Sequence, residues 1–346
     1  MDKDVNVGIV GVGIYIPEMI MTAAEISLAS HGIWSEKDIC DKLGIIQKRV
    51  PGFQDGTQEM GARAALDCLN KTGVNASEID VILCFGEEWK EYPLTTSALY
   101  IQNRIQAFNA WGVDIQNRCC TSVTAMKMAK DMLIADDAIH TVMVCGGYRN
   151  GDFVDYTDKD MSMMYNLAAG GAAIMLRKNY NKNLLLGSHI ISDGSLARTV
   201  GVEIGGICQP ITQNNVSKAY KSLRLMQPEV MKKRLKLVSQ NNFLKCIDRA
   251  FEKSNILKSD LGYLAILHIN RSEHAEMLKK LNISKEQSIY LENFGHIGQV
   301  DQILSLSLAL ETKKVTNGTV VCMLAAGIGY VWAANVIVWG DCSSCE

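Results

Sequence analysis

The sequence predicts an α/β fold in which helices cover a largely buried sheet. Two observations support this prediction: strand-like apolar runs alternate with segments of helical periodicity, and the order of elements in the first half recurs in the second. In the first half the predicted strands are 81–85, 111–115 and 141–145, and the predicted helices are 60–72, 95–105 and 119–133. In the second half the strands are 263–267, 288–291, 319–324 and 330–339, and the helices are 241–254, 273–281 and 300–313.

The two halves match at an offset of about 180 residues, which indicates a duplication. Residues 80–85 correspond to 264–269, residues 142–146 to 320–324, and the region around Cys119 to 294–299. We therefore predict two duplicated halves, 1–180 and 181–346, that share one core.

Glycines punctuate the opening run of the chain, which at first sight suggests a dinucleotide-binding loop. Gly11 and Gly13 have the expected spacing, but Ile16 stands where the third glycine should be and Pro17 follows it instead of a helix. We interpret the run as a buried strand followed by an extended turn.

Composition limits the possible partners and locations. The chain has 346 residues, 48% of them hydrophobic, and a formal net charge of -2, so no electrostatic case exists for nucleic acid or an anionic membrane surface as partner. The acidic start does not look like a signal peptide, and no apolar run has the length of a membrane span. We therefore predict a cytoplasmic protein with reduced thiols and no metal site. The weakly patterned segment 209–227 is predicted to be a loop over the site.

Cys119 is placed by the pattern where a strand gives way to a helix. Backbone N–H groups at a helix N-terminus favour the thiolate, the reactive form of cysteine. A buried structural cysteine is the alternative for any one of the eleven cysteines.

The layout resembles the thiolase superfamily, and within it the β-ketoacyl-acyl-carrier-protein synthase III group. The motifs that carry the resemblance are spread over nearly the whole chain: 11–17, 42–49, 114–119, the loops at His268 and Gly295-His296, and 327–332. The resemblance implies a thiolase-like fold, with two duplicated βαβαβαββ halves in a five-layered αβαβα arrangement, and a homodimer.

The resemblance also implies the catalytic side chains. Cys119 corresponds to the nucleophile, with Cys120 as its neighbour. His268 corresponds to the histidine that polarises the thioester carbonyl of the extender unit. His296 stands where synthase III enzymes carry asparagine, and an imidazole N–H can donate to an enolate oxygen as the amide does. Glu87 is similar to the acid–base glutamate of 3-hydroxy-3-methylglutaryl-CoA synthases, with a solvated loop charge as the alternative.

Binding positions follow from the same resemblance. The backbone N–H groups of Cys119 and Ile328 would form the oxyanion hole, and Gly327 and Gly329 belong to the loop that carries Ile328. The remaining substrate-binding positions are Lys42, Asn270 and Arg271. Asp38 and Lys42 occupy the places of the tryptophan and arginine with which the family clamps adenine, so an unusual or carrier-bound acyl donor becomes more plausible.

The implied function is acyl transfer without a cofactor other than the thioester substrates. Cys119 would accept an acyl group from coenzyme A or a carrier protein and condense it with a malonyl thioester, with loss of carbon dioxide, to give a β-ketoacyl product in fatty-acid or secondary-metabolite synthesis. Three alternatives stay open: a non-decarboxylating acyltransferase, a condensation that resembles 3-hydroxy-3-methylglutaryl-CoA synthase and uses Glu87, and a catalytically silent partner subunit. No nucleic acid or membrane is expected as a partner.

Overall fold

A computed structural model of the protein describes residues 5–86 and 89–341. Its strands are β1 Val7–Tyr15, β2 Ile20–Thr22, β3 Gln47–Arg49, β4 Val81–Cys84, β5 Trp111–Asp114, β6 Thr141–Tyr148, β7 Gly170–Lys178, β8 Lys182–Ser192, β9 Val200–Val202, β10 Leu223–Leu225, β11 Leu261–Ile266, β12 Val320–Gly327 and β13 Val331–Asp341. Its α-helices are α1 Ala23–Ala29, α2 Glu36–Asp38, α3 Thr57–Thr72, α4 Ser97–Arg104, α5 Thr121–Ala135, α6 Val216–Ala219, α7 Pro228–Ser254, α8 Arg271–Leu281 and α9 Asp301–Glu311.

A mixed sheet runs through the molecule in the order β11-β12-β13-β8-β1-β7-β6-β4-β5. On one side β4 is parallel to β5 and β6, while β7 is antiparallel to both β6 and β1. On the other side β11 is parallel to β12, and β13 is antiparallel to both β12 and β8. The two sides meet where Gly8 of β1 lies opposite Leu184 of β8. Strand order and direction are therefore repeated about this junction, as expected for duplicated halves.

The helices form three layers around the two half-sheets. In the middle layer, α5 and α9 contact strands of both halves, and α9 buries even the polar side chains of its first turn. Helices α3 and α4 pack on the outer face of one half-sheet, and α7 and α8 pack on the outer face of the other. Because α5 and α9 lie between the strands of the two halves, the middle layer is the centre of the five-layered arrangement.

The glycines of the opening run are explained by close packing of helix on sheet. A Cβ on Gly13 of β1 would lie 2.1 Å from the carbonyl oxygen of Ala64 in α3, and a Cβ on Gly171 of β7 would lie 2.3 Å from that of Met60. The interpretation of this run as a buried strand is confirmed, because Val7–Tyr15 pairs with β7 along its length.

The observed elements differ from the predicted ones in four places. Residues 288–291 form no strand. Helix α7 begins at Pro228 and not at 241. Its first turns were not predicted because they are polar and largely exposed. The sequence analysis missed β7 and β8, whose apolar runs show little alternation because β7 is buried on both faces. Segment 209–227 contains α6 and β10 as well as loop.

Over residues 5–86 and 89–341, none of the helices combines the length and the apolar character that a membrane span requires.

Candidate active site

The Cys119 thiol lies where β5 leads into α5. A 3₁₀ turn, Arg118–Cys120, joins directly to the helix, and Arg118 has a φ of 53°, a left-handed conformation that is costly for a residue with a side chain. The turn is held by Thr121, whose Oγ1 accepts a hydrogen bond from the N–H of Asn117 at 2.8 Å. Cys119 is 7% exposed, so its sulfur is nearly enclosed by protein.

His296 comes from the other half of the molecule and meets this thiol. Its Nε2 lies 3.3 Å from the Sγ of Cys119, and its Nδ1 lies 2.6 Å from Oδ2 of Asp301. The preceding Gly295 has a φ of 77°, and a Cβ there would lie 2.6 Å from the carbonyl oxygen of Asn166. A nucleophile, a base and a carboxylate that orients the base are the components of an activated thiol.

Asp301, the first residue of α9, is fully buried and is shared by both histidines. Its Oδ2 accepts the Nδ1–H of His296 and also the backbone N–H of His268, the latter at 2.8 Å. Its Oδ1 accepts the N–H of Ile297 at 2.8 Å. A buried carboxylate needs such partners, and the N-terminal end of α9 adds a favourable dipole.

The surroundings give His296 a positive charge. Burial by itself would lower its pKa, but the nearby Asp301 carboxylate and the sulfur of Cys119 outweigh burial and raise the pKa well above the usual value. His296 is therefore an imidazolium at neutral pH, with Nδ1–H on Asp301 and Nε2–H directed at the thiol.

His268 has the opposite character. It is 4% exposed, and burial is the main reason why its pKa falls to about 4, although the charge of Asp301 acts in the other direction. Its Nδ1 lies 3.2 Å from the amide nitrogen of Asn166, and its Nε2 lies 3.4 Å from the carbonyl oxygen of Gly44. His268 is consequently a neutral imidazole at physiological pH.

The glycine-marked loop after β12 packs against the nucleophile turn. A Cβ on Gly327 would lie 3.1 Å from the backbone nitrogen of Cys119, so these two segments touch. Ile328 is partly buried against the central core, and Gly329 has a φ of 124°. The structure thus brings the predicted oxyanion-hole segment beside Cys119, and the role itself stays a prediction.

The three polar side chains predicted to bind substrate lie farther out and already have protein partners. Lys42 forms an exposed ion pair with Asp38 at 2.7 Å. Asn270 caps α8 by accepting the N–H of Glu273 at 2.9 Å. Arg271 pairs with Glu292 at 2.8 Å. Contact of these residues with substrate therefore stays a prediction.

Glu87 lies outside the described residues, so its predicted acid–base role is untested. Asp301 and Asn166, which each contact both histidines, were missed by the sequence analysis. A signal existed for Asp301, because it is the only acid in the apolar run 301–310. Asn166 gave a weaker signal as a single polar residue before the small-residue run 167–173.

Cys120, the neighbour of Cys119, packs in the protein core. It is fully buried, its Sγ lies 3.4 Å from the carbonyl oxygen of Val331, and burial raises its pKa well above the usual value. A thiol of this kind stays protonated and is poorly nucleophilic. Of the two adjacent thiols, only Cys119 contacts His296.

Two protein-family models match parts of this chain. The family model described as 3-oxoacyl-[acyl-carrier-protein (ACP)] synthase III matches residues 113–194, and that for the synthase III C-terminal region matches residues 251–339. The chain is 24% identical over 336 residues to the β-ketoacyl-[acyl-carrier-protein] synthase III of Syntrophomonas wolfei, covering 97% of this chain and 98% of the relative. It is 26% identical over 342 residues to the enzyme of the same name from Prochlorococcus marinus, covering 98% of each.

Solved structures show the same fold. The 3-oxoacyl-[acyl-carrier-protein] synthase III of Aquifex aeolicus superposes with a TM-score of 0.82 at 19% identity, covering 96% of this chain and all of that one. The priming β-ketosynthase of the R1128 polyketide pathway superposes with a TM-score of 0.81 at 18% identity, covering 97% of each chain. The predicted thiolase-like fold is confirmed, and the two family models and the curated relatives confirm the resemblance to the β-ketoacyl-acyl-carrier-protein synthase III acyltransferases.

Proposed function

We propose that the protein forms an acyl thioester on Cys119 and condenses it with a malonyl thioester, releasing carbon dioxide and a β-ketoacyl thioester. The observation that carries the proposal is the 3.3 Å contact between the Cys119 sulfur and Nε2 of His296, with His268 joined to the same carboxylate. The names of the relatives, β-ketoacyl-[acyl-carrier-protein] synthase III, support this reaction class.

In the first half-reaction the Cys119 thiolate attacks the carbonyl carbon of an acyl thioester. The negative charge moves to the carbonyl oxygen, where the N–H of Cys119 and that of Ile328 are the proposed donors. Collapse of this intermediate breaks the bond to the donor sulfur, and coenzyme A or the carrier leaves as its thiolate, which takes a proton from solvent.

In the second half-reaction a malonyl thioester loses carbon dioxide and becomes an enolate. His268, as a neutral imidazole, donates from Nε2 to the enolate oxygen. His296 can donate from Nε2 only as an imidazolium, since its Nδ1–H is bound to Asp301. The enolate carbon then attacks the acyl carbon, and Cys119 leaves as a thiolate. We propose His268 as the neutral donor, because the Nδ1–H of His296 is bound to Asp301.

The experiment uses the full chain in two steps. Intact-mass spectrometry after incubation with acyl-CoA should show one added acyl group, absent in Cys119→Ala and present in Cys120→Ala. Addition of malonyl-carrier protein should then release one equivalent of carbon dioxide per β-ketoacyl product. Labelling of Cys119→Ala would disprove the nucleophile, and an acyl-enzyme that never releases carbon dioxide would disprove the condensation.

A second function is favoured by the Asp301 contact. If His296 loses its Nε2 proton once Cys119 is acylated, Asp301 retains the proton on Nδ1 and leaves Nε2 as a base. Such a base could take the proton of an alcohol or amine that attacks the acyl group, as the histidine does in the catalytic triads of hydrolases. Product formation from an acyl-enzyme and an alcohol or amine, without carbon dioxide, would identify this non-decarboxylating transferase.

Anionic substrates or partners fit the surface beside His268. A cavity of about 400 Å³ is lined by Arg271, Lys285 and Lys314, with Glu286 as an opposing charge, and Tyr290 forms part of its wall. The ring of Tyr290 also lies 5.1 Å from that of His268. This excess of positive charge supports a carrier protein or a phosphate-bearing thioester as donor.

Assembly and location complete the proposal. β5 is the edge strand of the sheet, with Trp111 50% and Val113 39% exposed, and an apolar edge of this kind needs a cover. A homodimer joined along β5 would provide this cover, and sedimentation equilibrium of the full chain tests this assembly.

Each of the nine cysteines in the described ranges is a free thiol, which supports a cytoplasmic location. We propose that the boundary between the two halves lies at 180/181, between β7 and β8.

A further inference from the structure

Asn166, like Asp301, contacts both histidines. Its carbonyl oxygen accepts the backbone N–H of His296 at 2.9 Å, and its side-chain nitrogen lies 3.2 Å from Nδ1 of His268. It is 9% exposed, so neither contact is exchanged easily with water. Asn166 thus fixes the main chain of one histidine and the ring of the other.

The surroundings of His268 define which ring nitrogen carries its single proton. The group next to Nε2 is the carbonyl oxygen of Gly44 at 3.4 Å, and a carbonyl can only accept. Nε2 is therefore the protonated nitrogen, and Nδ1 is the acceptor. An acceptor at Nδ1 needs a donor, which is the amide N–H of Asn166. An acid at position 166 would demand the opposite arrangement.

A buried lysine holds Asn166 in place. Lys48, which is 1% exposed, donates from Nζ to the carbonyl oxygens of Tyr165 and Leu167, each at 2.7 Å. These are the two neighbours of Asn166 along the chain. The third donor of the ammonium group binds the hydroxyl of Tyr156 at 2.5 Å. The backbone on both sides of Asn166 is consequently fixed, and its amide is aimed at His268 by the main chain.

We propose that Asn166 is a positioning residue that holds His268 as a neutral imidazole with its proton on Nε2, ready to donate to the enolate oxygen. The inference rests on the proposed function, because this donor is used when the malonyl thioester loses carbon dioxide. It predicts that Asn166 matters for condensation and far less for acylation, which depends on Cys119 and His296. The backbone contact to His296 is independent of the side chain at 166.

Two substitutions that nearly keep the size of the Asn166 side chain separate the effect of its hydrogen bond from the effect of its packing. Asn166→Asp offers Nδ1 an acceptor, so it should move the proton of His268 to Nδ1. Asn166→Leu offers neither donor nor acceptor, so it should leave both tautomers populated. Nitrogen-15 NMR of histidine-labelled full-length protein reports the protonated ring nitrogen directly, and His268→Gln assigns the signal. Asn335→Leu, which removes a fully buried amide bound to Val123, is the matched control and should leave the His268 signal unchanged.

The kinetic measurement follows the two half-reactions separately. We expect condensation to fall on the order of 10- to 100-fold in Asn166→Leu and by about 10³-fold in Asn166→Asp, where the tautomer is wrong. Acylation of Cys119, monitored by intact mass, should change by less than about threefold. Unchanged tautomers, or equal losses in acylation and condensation, would overturn the inference. Failure of the wild-type protein to release carbon dioxide would instead overturn the proposed function, while the NMR result would still report the tautomer.

Discussion

The turns that begin α5 and α9 share one backbone design but carry different chemistry. In each half, a residue with positive φ, Arg118 or Gly298, opens a 3₁₀ turn that joins the middle-layer helix. In each, the first residue of that helix accepts the N–H of the residue four positions earlier at 2.8 Å. These first residues are Thr121 and Asp301.

The difference between Thr121 and Asp301 explains how one fold, used twice, makes one active site. The hydroxyl of Thr121 is used up locally, because it also donates to the carbonyl oxygen of Arg118 at 2.5 Å. The carboxylate of Asp301 has a second oxygen, which reaches both His296 and His268. The position of Cys119 corresponds to Gln299, which is fully buried and donates to the carbonyl oxygen of Phe85. One half therefore supplies the Cys119 thiol, and the other supplies His296 together with the carboxylate that binds its ring.

The largest effect is expected when the nucleophile is replaced by its counterpart, in Cys119→Gln. Condensation should fall by at least about 10³-fold because no acyl-enzyme forms. His268 and His296 remain in place, so a malonyl thioester should still lose carbon dioxide, now without a β-ketoacyl product. Carbon dioxide and product are measured in the same assay. Loss of both activities to the same extent would show that the histidines do not support decarboxylation by themselves.

The next-largest effect is expected at Asp301, the first residue of α9 and the counterpart of Thr121 in α5. Asp301→Asn keeps the size of the side chain but removes its charge, so the pKa of His296 should fall and the Cys119 sulfur should lose the cation beside it. Alkylation of Cys119 by iodoacetamide at pH 6–7 and acylation by acyl-CoA should both slow by roughly 10²- to 10⁴-fold.

Thr121→Val is the matched control on the other side of the comparison. It should lower the free energy of unfolding by about 1 kcal/mol through the lost hydrogen bonds but leave the alkylation profile in place. Equal alkylation profiles for Asp301→Asn and the wild-type protein would contradict the assigned role of the carboxylate.

A smaller effect concerns acid stability, which should distinguish the histidines of the two halves. His268 and His274 are buried, and burial is the main cause that lowers the pKa of each to about 4. Because the unfolded chain binds these protons more readily, each histidine should cost up to about 3 kcal/mol of stability as pH falls from about 6.5 to 4. His31 and His140 in the other half are exposed.

Urea unfolding between pH 4 and pH 7 measures this slope, and His274→Gln should remove roughly half of it. His296 acts in the opposite direction, since its pKa is raised: its contribution is complete below about pH 6.5 and is lost as pH rises through the folded-state pKa. An unchanged slope in His274→Gln would place the acid sensitivity elsewhere in the molecule.

The smallest effect is expected from Cys120→Val, which gives the first half the residue found at the corresponding position 300. Val300 is fully buried, as Cys120 is, so the change should alter the free energy of unfolding by about 1 kcal/mol or less. Acyl labelling should stay at one group per chain. A thermal melt and an intact-mass spectrum are sufficient, and loss of labelling would transfer the nucleophile to Cys120.

Much of the fold and part of the site could be predicted because their signals are local. Periodicity located most strands and helices, and the motifs around Cys119, His268 and His296 indicated a thiol with two histidines. The contact of Asn166 with His268 joins residues 102 positions apart, and that of Asp301 with the His268 backbone joins residues 33 apart. Neither pair shows a spacing that a single sequence would reveal, because each depends on how two loops meet in the core.

From the sequence alone we could predict an α/β chain with a repeated order of elements, a thiol at a strand-to-helix turn and two histidines in the second half. These follow from local apolar patterning and from motifs confined to short segments. Which of these two histidines is charged depends on the tertiary structure. That property depends on burial and on the distance to Asp301, which packing around the middle layer sets: the carboxylate binds the ring of His296 but only the backbone of His268.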